Sequence, residues 1–280
     1  MMTLPFLSFE VFIMNNRILL VVGDKFAAYI QGKDAITVSQ LRGLLSLSIQ
    51  MLPGQDVTIL VPGQGLGDST VKRLLEEAAT SPHLARFDFS LWHALPKRAA
   101  SSVSHKHVQA NTLISEPRQR TADTYELHLL IDEDCELMSD HQTGQHVQGM
   151  ILIEATRQAL LAVTERFLLP SNGIDYSFVL SALSVSYSHY TFPVGAVLRC
   201  VINEASMENP RRLSFSAELF VEQCGQVVST FTVSFGAMEK LRISKRENMQ
   251  AVKTQSEYLA YVAANMQHYA EESLGHVENL

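Results

Sequence analysis

The chain has 280 residues, with a hydrophobic fraction of 46% and a charged fraction of 18%, which is typical of a soluble globular protein of one or two domains. A formal net charge of −7 disfavours nucleic-acid binding, because nucleic-acid binders normally carry a basic surface. No run approaches the roughly 18 uncharged apolar residues that a membrane helix needs. Three widely spaced cysteines indicate a reducing compartment without disulfides. We therefore expect a cytoplasmic protein that binds neither nucleic acid nor membrane.

Residues 1–94 are predicted to form a small α/β domain. The apolar runs at 17–23 and 56–61 are typical of buried strands, and residues 87–92 alternate like a third strand. Between the second and third strands, residues 69–79 have the apolar periodicity of an amphipathic helix. The sequence of this domain does not indicate its role.

A glycine-rich turn, Gly63-Gln64-Gly65-Leu66-Gly67-Asp68, precedes that helix. Such a turn can bind phosphate, because the free N–H groups and the dipole of the helix both point at the anion. Its glycine spacing matches neither the dinucleotide-binding nor the P-loop pattern, and Asp68 would repel an anion. We therefore favour a plain tight turn in which Asp68 or Ser69 caps the helix.

A second, larger domain begins after residues 95–107, a small, polar and basic segment that we interpret as a linker. Residues 108–243 alternate as strands do, around one long apolar helix near residues 147–169. The candidate strands are 108–114, 125–131, 183–189, 196–202, 213–221 and 227–237. The last two are joined by a predicted hairpin turn at residues 223–226. This order predicts an α+β fold with the sheet wrapped on the helix, followed by a C-terminal helix within residues 244–280.

The long helix carries the candidate functional residues. It is apolar nearly all round, so we expect it to be buried on most sides. Glu154 and Arg157 are spaced i,i+3 and therefore share one face, with Gln158 beside them at i+4. Burying an ionised side chain costs several kcal/mol unless it is paired and hydrogen-bonded. A charged pair in such a helix favours a functional role over a purely structural ion pair.

The segment from His146 to Ala159, HVQGMILIEATRQA, resembles the HVxGMxLxEAxRQ signature of the A-factor biosynthesis (AfsA) hotdog family. In the related β-hydroxyacyl-ACP dehydratases, a catalytic histidine lies in the loop before the helix, and a glycine precedes the helix carboxylate as Gly149 precedes Glu154. The resemblance covers about half of the chain. It implies a hotdog fold, in which an antiparallel sheet wraps a long central helix. The small α/β domain would precede it.

The sequence departs from the family pattern in two ways. Family members typically hold two hotdog repeats in one chain, whereas residues 1–94 contain no second signature segment. The second hotdog is then expected from another copy of the chain, which predicts a homodimer with composite sites. Gln148 stands where the dehydratase pattern has a proline, and this makes a dehydratase less favoured.

The resemblance implies an acyltransferase of signal or secondary-metabolite biosynthesis. Such enzymes move a β-ketoacyl group from an acyl carrier protein or CoA thioester to a small phosphorylated alcohol, dihydroxyacetone phosphate, and no bound cofactor or metal is expected. Glu154, with a pKa raised by burial, would be the base. Arg157 would bind the phosphate or hold Glu154 charged. His146 and His141 are further candidate bases or phosphate ligands.

The start of the helix is the predicted thioester site. The N–H groups of Val147, Gln148 and Gly149 would stabilise the oxyanion, and Gly149 permits close approach of the thioester. Gln148 and Gln158 are candidates for substrate contacts, although a structural hydrogen-bonding role is favoured for both. Two alternatives remain open: a thioesterase or dehydratase of the same fold, and a non-catalytic acyl-binding or scaffold protein.

Overall fold

The computed structural model describes residues 17–48, 56–139 and 142–266. The strands of its first sheet are β1 (Arg17–Val22), β2 (Ala35–Thr37), β3 (Thr58–Pro62) and β4 (Phe87–Asp88). They pair in parallel in the order β2-β1-β3-β4. The helices of this part are α1 (Val38–Ser46), α2 (Asp68–Thr80) and α3 (Ser90–His93). A capping box between Thr37 and Gln40 starts α1.

The third predicted strand, 87–92, is shorter than its alternating pattern indicates. The carboxylate of Asp88 accepts a hydrogen bond from the N–H of Ser90 at 2.8 Å, and this turn ends β4. The chain then forms α3, which buries Trp92. A local hydrogen bond from an Asp side chain therefore outcompetes continued strand pairing.

The second sheet is antiparallel and wraps the central helix. Its strands are β5 (Arg118–Gln119), β6 (Thr124–His128), β7 (Tyr176–Tyr187), β8 (Val197–Ser206), β9 (Arg212–Gln223) and β10 (Gln226–Glu239). They pair in the order β5-β6-β8-β9-β10-β7. The helices are α4 (Ser101–Ser104), α5 (Gly149–Val163), which continues as a π-helical turn over Thr164–Leu168, and α6 (Lys240–Ala264). This is the α+β hotdog arrangement that the sequence predicts.

Several elements differ from the predicted ones: β7, for example, begins at Tyr176 rather than at residue 183. Residues 108–114 are not a strand: Gln109–Asn111 form a 3-10 turn, and only an isolated bridge joins Ile114 to Leu129. The C-terminal helix begins at Lys240, directly after β10, and runs without a buried side chain. None of the helices in the described ranges has the length and apolarity needed to cross a membrane.

One hydrophobic core contains side chains from both sheets. It forms around α5, whose Ile151, Ala155 and Ala159 are fully buried. Val22, the last residue of β1 in the parallel sheet, and Phe26, four residues further on, belong to the same core. A second cluster lies within the parallel sheet and its helices. The limits drawn for the two domains stay a prediction.

The Gly63-Gln64-Gly65 turn joins the two sheets. The side chain of Gln64 is buried and donates from Nε2 to the carbonyls of Leu129 (3.0 Å) and Val194 (3.2 Å), while its Oε1 accepts from the N–H of Ile131 at 2.8 Å. The N–H of Gly65 donates to the Ile131 carbonyl at 3.0 Å. The polar groups of this segment are thus bonded to other parts of the chain, which favours the structural interpretation over a phosphate site.

The helix after this turn has no side-chain cap, contrary to the expectation for Asp68 or Ser69. Gly67 is the residue before α2, and no side chain accepts from the first turn there. The carboxylate of Asp68 instead accepts from Nε of Arg98 at 2.9 Å. Arg98 is almost completely buried and comes from the predicted linker, so an ion pair replaces the expected cap.

Candidate functional site

Glu154 lies on α5 with its carboxylate bonded to three side chains. Arg157 donates to both carboxylate oxygens, from Nε at 2.8 Å and from Nη2 at 2.8 Å. Nζ of Lys106 lies 2.7 Å from Oε1, and Nε2 of Gln158 donates to the same oxygen at 3.0 Å. The predicted pairing of Glu154 with Arg157 is confirmed, and Lys106 joins it from outside the helix.

The carboxylate of Glu154 is ionised, with a pKa of about 2 against an ordinary value of 4.5. Burial is the largest single influence and raises the pKa, but the hydrogen bonds from Arg157, Lys106 and Gln158, with the charge of Arg157, outweigh it. The pKa of Arg157 is raised in turn by its hydrogen bonds to Glu154. The expectation of a raised pKa for Glu154 is therefore wrong. A carboxylate of such low pKa is a poor base for a hydroxyl proton.

Gln158 is completely buried and links α5 to the chain before β5. Its Oε1 accepts from the N–H of Leu113 at 2.8 Å, and its Nε2 donates to the carbonyl of Asn111 at 2.8 Å as well as to Glu154. Both amide hydrogens are thus used within the protein. The geometry favours the structural role that we weighed for Gln158 over contact with a substrate.

Lys106 is the functional candidate that the sequence did not indicate. Helix α4 ends at Ser104, and the left-handed backbone of its C-cap, His105 (φ 55°), turns the chain immediately before Lys106. The side chain of Lys106 is 25% exposed and that of Glu154 is 18% exposed, so this ion pair is mostly shielded from water. The only sequence signal is the basic character of residues 95–107, which also fits an ordinary solvated linker.

A cavity of about 240 Å³ opens beside the ion-pair cluster. Its lining residues are Lys106, Asn111, Cys135, Glu136, Leu137, Met150, Ile153 and Glu154. Asn111 fixes one wall, because its Oδ1 accepts from the N–H of Glu136 at 2.8 Å and its Nδ2 donates to the Glu136 carboxylate at 3.3 Å. The cavity therefore has a polar side carrying both signs of charge and an apolar side, and it is large enough for a small organic molecule.

The first residue of α5 is covered by a tyrosine. The hydroxyl of Tyr187, the last residue of β7, donates to the carbonyl of Gly149 at 3.0 Å. A Cβ atom on Gly149 would lie 2.7 Å from that oxygen and 2.9 Å from the ring atom that carries it. The space that Gly149 leaves by having no side chain is thus occupied by the Tyr187 ring and its hydroxyl.

The residues before Gly149 contact the segment that follows β7. The N–H of Val147, a predicted oxyanion donor, instead donates to the carbonyl of Thr191 at 2.8 Å. The ring of His146 lies against that of Tyr190 (centroids 4.8 Å apart), with Nδ1 3.3 Å from Oγ1 of Thr143. Gln148 is the N-cap of α5 and makes no side-chain cap bond. The other predicted base, His141, lies outside the described residues.

Comparison with known proteins agrees with this architecture. Residues 91–239, more than half of the chain, match the model of the A-factor biosynthesis hotdog domain. No curated protein matches the chain.

Solved structures with a similar fold are distant. A phenylacetic acid degradation-related protein from Ralstonia eutropha JMP134 is 15% identical; the similarity covers 43% of this chain and 82% of that one, with a TM-score of 0.33. A mutant thioesterase from Pseudomonas aeruginosa is 9% identical over 49% of this chain and 90% of its own, with a TM-score of 0.37. Similarity at this level says nothing about what the present chain binds.

Proposed function

The chain belongs to the A-factor biosynthesis hotdog family, and from this membership we propose that it transfers a β-ketoacyl group from an acyl carrier protein or CoA thioester to a small phosphorylated alcohol. The observation that carries the proposal is the cluster that Lys106 forms with Glu154 and Arg157 of the central helix. An ionised carboxylate there fixes two cationic side chains, and one of them, Lys106, lines a cavity beside the start of α5. Simple hydrolysis of a thioester needs no such cations.

The thioester is proposed to bind at the start of α5. The N–H groups of Gly149 and Met150 belong to the first helical turn, where N–H groups have no acceptor within the helix. Together with the positive end of the helix dipole, they favour negative charge on the carbonyl oxygen of the substrate. The N–H of Val147 does not take part in this, because it donates to the carbonyl of Thr191.

The acceptor is proposed to bind beside Glu154. Lys106 lines the cavity, and its ammonium group is held in place by the Glu154 carboxylate. A phosphate on the acceptor would pair with this ammonium group and with the partly exposed guanidinium of Arg157. In this proposal Glu154 holds the two cations in position and accepts no proton.

His146 is then the proposed general base. Its Nδ1 contacts the hydroxyl of Thr143 and its ring packs on Tyr190, which fixes the plane of the imidazole. The acceptor hydroxyl would lose its proton to His146 while its oxygen attacks the thioester carbonyl. As the C–O bond forms, the C–S bond breaks, and the proton passes to the departing thiolate. The products are an ester and a free thiol.

A product analysis tests the proposal. The full chain is mixed with a β-ketoacyl-ACP or β-ketoacyl-CoA thioester, with and without dihydroxyacetone phosphate, and the products are identified by mass spectrometry. An acyl ester that requires the acceptor supports acyl transfer. Free β-keto acid formed equally without the acceptor would identify a thioesterase instead. An unchanged thioester that remains bound to the protein would identify a non-catalytic acyl-binding protein.

A second copy of the chain is proposed to complete the working unit along β7. This strand is an edge of the antiparallel sheet and runs for 12 residues, whereas the opposite edge strand, β5, has two. Leu180 and Leu183 of β7 are exposed, and exposed apolar residues on an open edge strand favour pairing with another strand. Because β7 ends at Tyr187, which touches Gly149, a partner paired along it would lie beside the thioester site.

A further inference from the structure

A groove of about 810 Å³ lies between the antiparallel sheet and the α/β part of the chain. Its lining includes the aromatic side chains of Tyr29, Tyr187, Tyr190 and Phe192. Tyr29 comes from the segment after β1, and the other three follow one another at the end of β7 and in the loop behind it. The α/β part thus contributes one side chain to the groove, and the volume of the groove is that of a ligand site.

The aromatic rings form a continuous series that reaches the start of the central helix. The ring centroids of Tyr29 and Phe192 are 5.8 Å apart, those of Phe192 and Tyr190 are 6.4 Å apart, and the His146 ring follows at 4.8 Å from Tyr190. At the far end, the ammonium group of Lys33 lies 4.9 Å from the centroid of the Tyr29 ring. The series therefore leads from the surface of the α/β part to the proposed base.

The backbone of Tyr29 is held at the same place as its ring. Its N–H donates to the carbonyl of Gly144 at 3.0 Å, within the loop that leads into α5. On the opposite wall, the Tyr187 hydroxyl is bonded to Gly149. Both walls are thus attached to the segment from Gly144 to Gly149, and one end of the groove is fixed at the proposed thioester site.

The groove offers little to a charged ligand. Among the described residues that line it there is no Asp, Glu, Lys or Arg. The amide of Gln223 is already bonded to the backbone of Phe192, accepting from its N–H and donating to its carbonyl at 2.9 Å each. Nε2 of His189 faces Nε2 of Gln226 at 3.1 Å. An uncharged, mainly apolar ligand therefore fits this lining best.

We propose that the groove binds the acyl chain of the thioester substrate, with the carbonyl end at Gly149 and the chain running along Tyr190 and Phe192 to Tyr29. The inference rests on the proposed thioester binding at the start of α5. It gives the α/β part a role, since Tyr29 would close the groove and set the length of chain that is accepted. Charged nucleotide or phosphate groups would stay outside, because nothing in the lining neutralises them.

The test measures binding without requiring turnover. Non-hydrolysable alkyl thioethers of CoA, with chains of increasing length, are titrated into the full chain by calorimetry. Each methylene that enters the groove should tighten binding by about fourfold, until the groove is filled. Tyr29→Ala and Phe192→Ala should weaken binding of long chains by about tenfold or more and leave short chains nearly unchanged. Tyr29→Trp puts a larger aromatic side chain at the same position and narrows the groove. The acyl-chain length that binds most tightly should therefore become shorter.

The matched control is Tyr258→Ala, which removes an exposed tyrosine from α6, outside the groove. It should bind every chain length as the original protein does. An affinity that does not depend on chain length would overturn the proposal, and so would equal weakening of CoA that carries no chain, since the groove would then hold the pantetheine or adenine part. Chain-length-dependent binding without any transfer would retain the groove and reject only the proposed acyltransferase activity.

Discussion

Nζ of Lys106 lies 2.7 Å from Oε1 of Glu154, so a side chain from the predicted linker is bonded to the central helix. This contact changes the chemistry available at Glu154. With Arg157 as its only partner, the carboxylate would be one half of an ordinary intrahelical pair. With two cations it is a fixed anion that positions positive charge beside a cavity.

Replacing Lys106 by Met should weaken binding of the phosphorylated acceptor. The substitution keeps an apolar stem of similar length and removes the ammonium group, so we expect the KM for the acceptor to rise by about tenfold or more while the KM for the thioester changes little. Lys97→Met is the matched control, because the Lys97 side chain is 82% exposed and pairs with Glu116 at 3.1 Å on the surface. Equal effects of the two substitutions would contradict the role of Lys106.

The stability contributed by Glu154 should depend on pH in the direction set by its lowered pKa. Since the folded-state pKa is about 2 and the ordinary value is 4.5, the ionised carboxylate stabilises the fold fully above the ordinary value. This contribution is lost as the pH falls from there towards the folded-state pKa.

Urea unfolding of the original protein and of Glu154→Gln measures this contribution. The difference between their unfolding free energies should shrink by about 2 kcal/mol between about pH 7 and about pH 3. A difference that grows over the same interval would show a raised pKa and restore Glu154 as a candidate base.

Gly149→Ala should destabilise the protein because of Tyr187. The new Cβ would lie 2.7 Å from the tyrosine hydroxyl oxygen, so the ring must move, at a cost of about 1–3 kcal/mol. In a Tyr187→Ala background the same change should be neutral or slightly stabilising, because alanine favours helix more than glycine does. A double-mutant cycle by chemical denaturation measures this coupling.

Gly43→Ala serves as the control for that cycle. Gly43 lies inside α1, and a Cβ there would meet nothing within 4 Å. The substitution should therefore stabilise the protein by about 0.5–1 kcal/mol. If Gly149→Ala cost the same with and without the Tyr187 ring, the contact between them would not be the cause.

Leu183→Glu should separate the proposed homodimer. The side chain lies on the exposed edge strand β7, where a charge opposes pairing with a second strand. Light scattering should give twice the 31.2 kDa mass of one chain for the original protein and one chain mass for the variant. Leu91→Glu, at an exposed leucine on α3, should remain dimeric. A monomeric original protein would reject pairing along β7.

Features set by neighbouring residues were predictable from the sequence. The hairpin turn at residues 223–226 is confirmed, with left-handed backbone at both Cys224 (φ 51°) and Gly225 (φ 77°). The pairing of Glu154 with Arg157 follows from the period of the helix alone. In both cases the contact lies within a few residues along the chain, so local geometry suffices.

Contacts between distant segments were not predictable. Lys106 and Glu154 are brought together by the fold, and so are Tyr187 and Gly149. The pKa of Glu154 shows the consequence: burial in the apolar helix raises it as expected, but the hydrogen bonds from Arg157, Lys106 and Gln158 outweigh burial and lower it, and Lys106 is the partner that the helix pattern does not contain. The predicted catalytic roles of Glu154, Arg157 and His146 therefore depend on contacts that only the structure supplies.

The turn at Gln64 affects how this protein can be divided. A fragment that began after the parallel sheet would leave the Ile131 N–H and the Leu129 carbonyl without the Gln64 side chain as partner, and each such loss costs about 1–3 kcal/mol. It would also uncover the core around α5 where Phe26 now packs. We therefore expect the family domain of this chain to be unstable when it is produced alone. A stable fragment would have to include the Gly63-Gln64-Gly65 turn, or the surface that this turn covers would have to be redesigned.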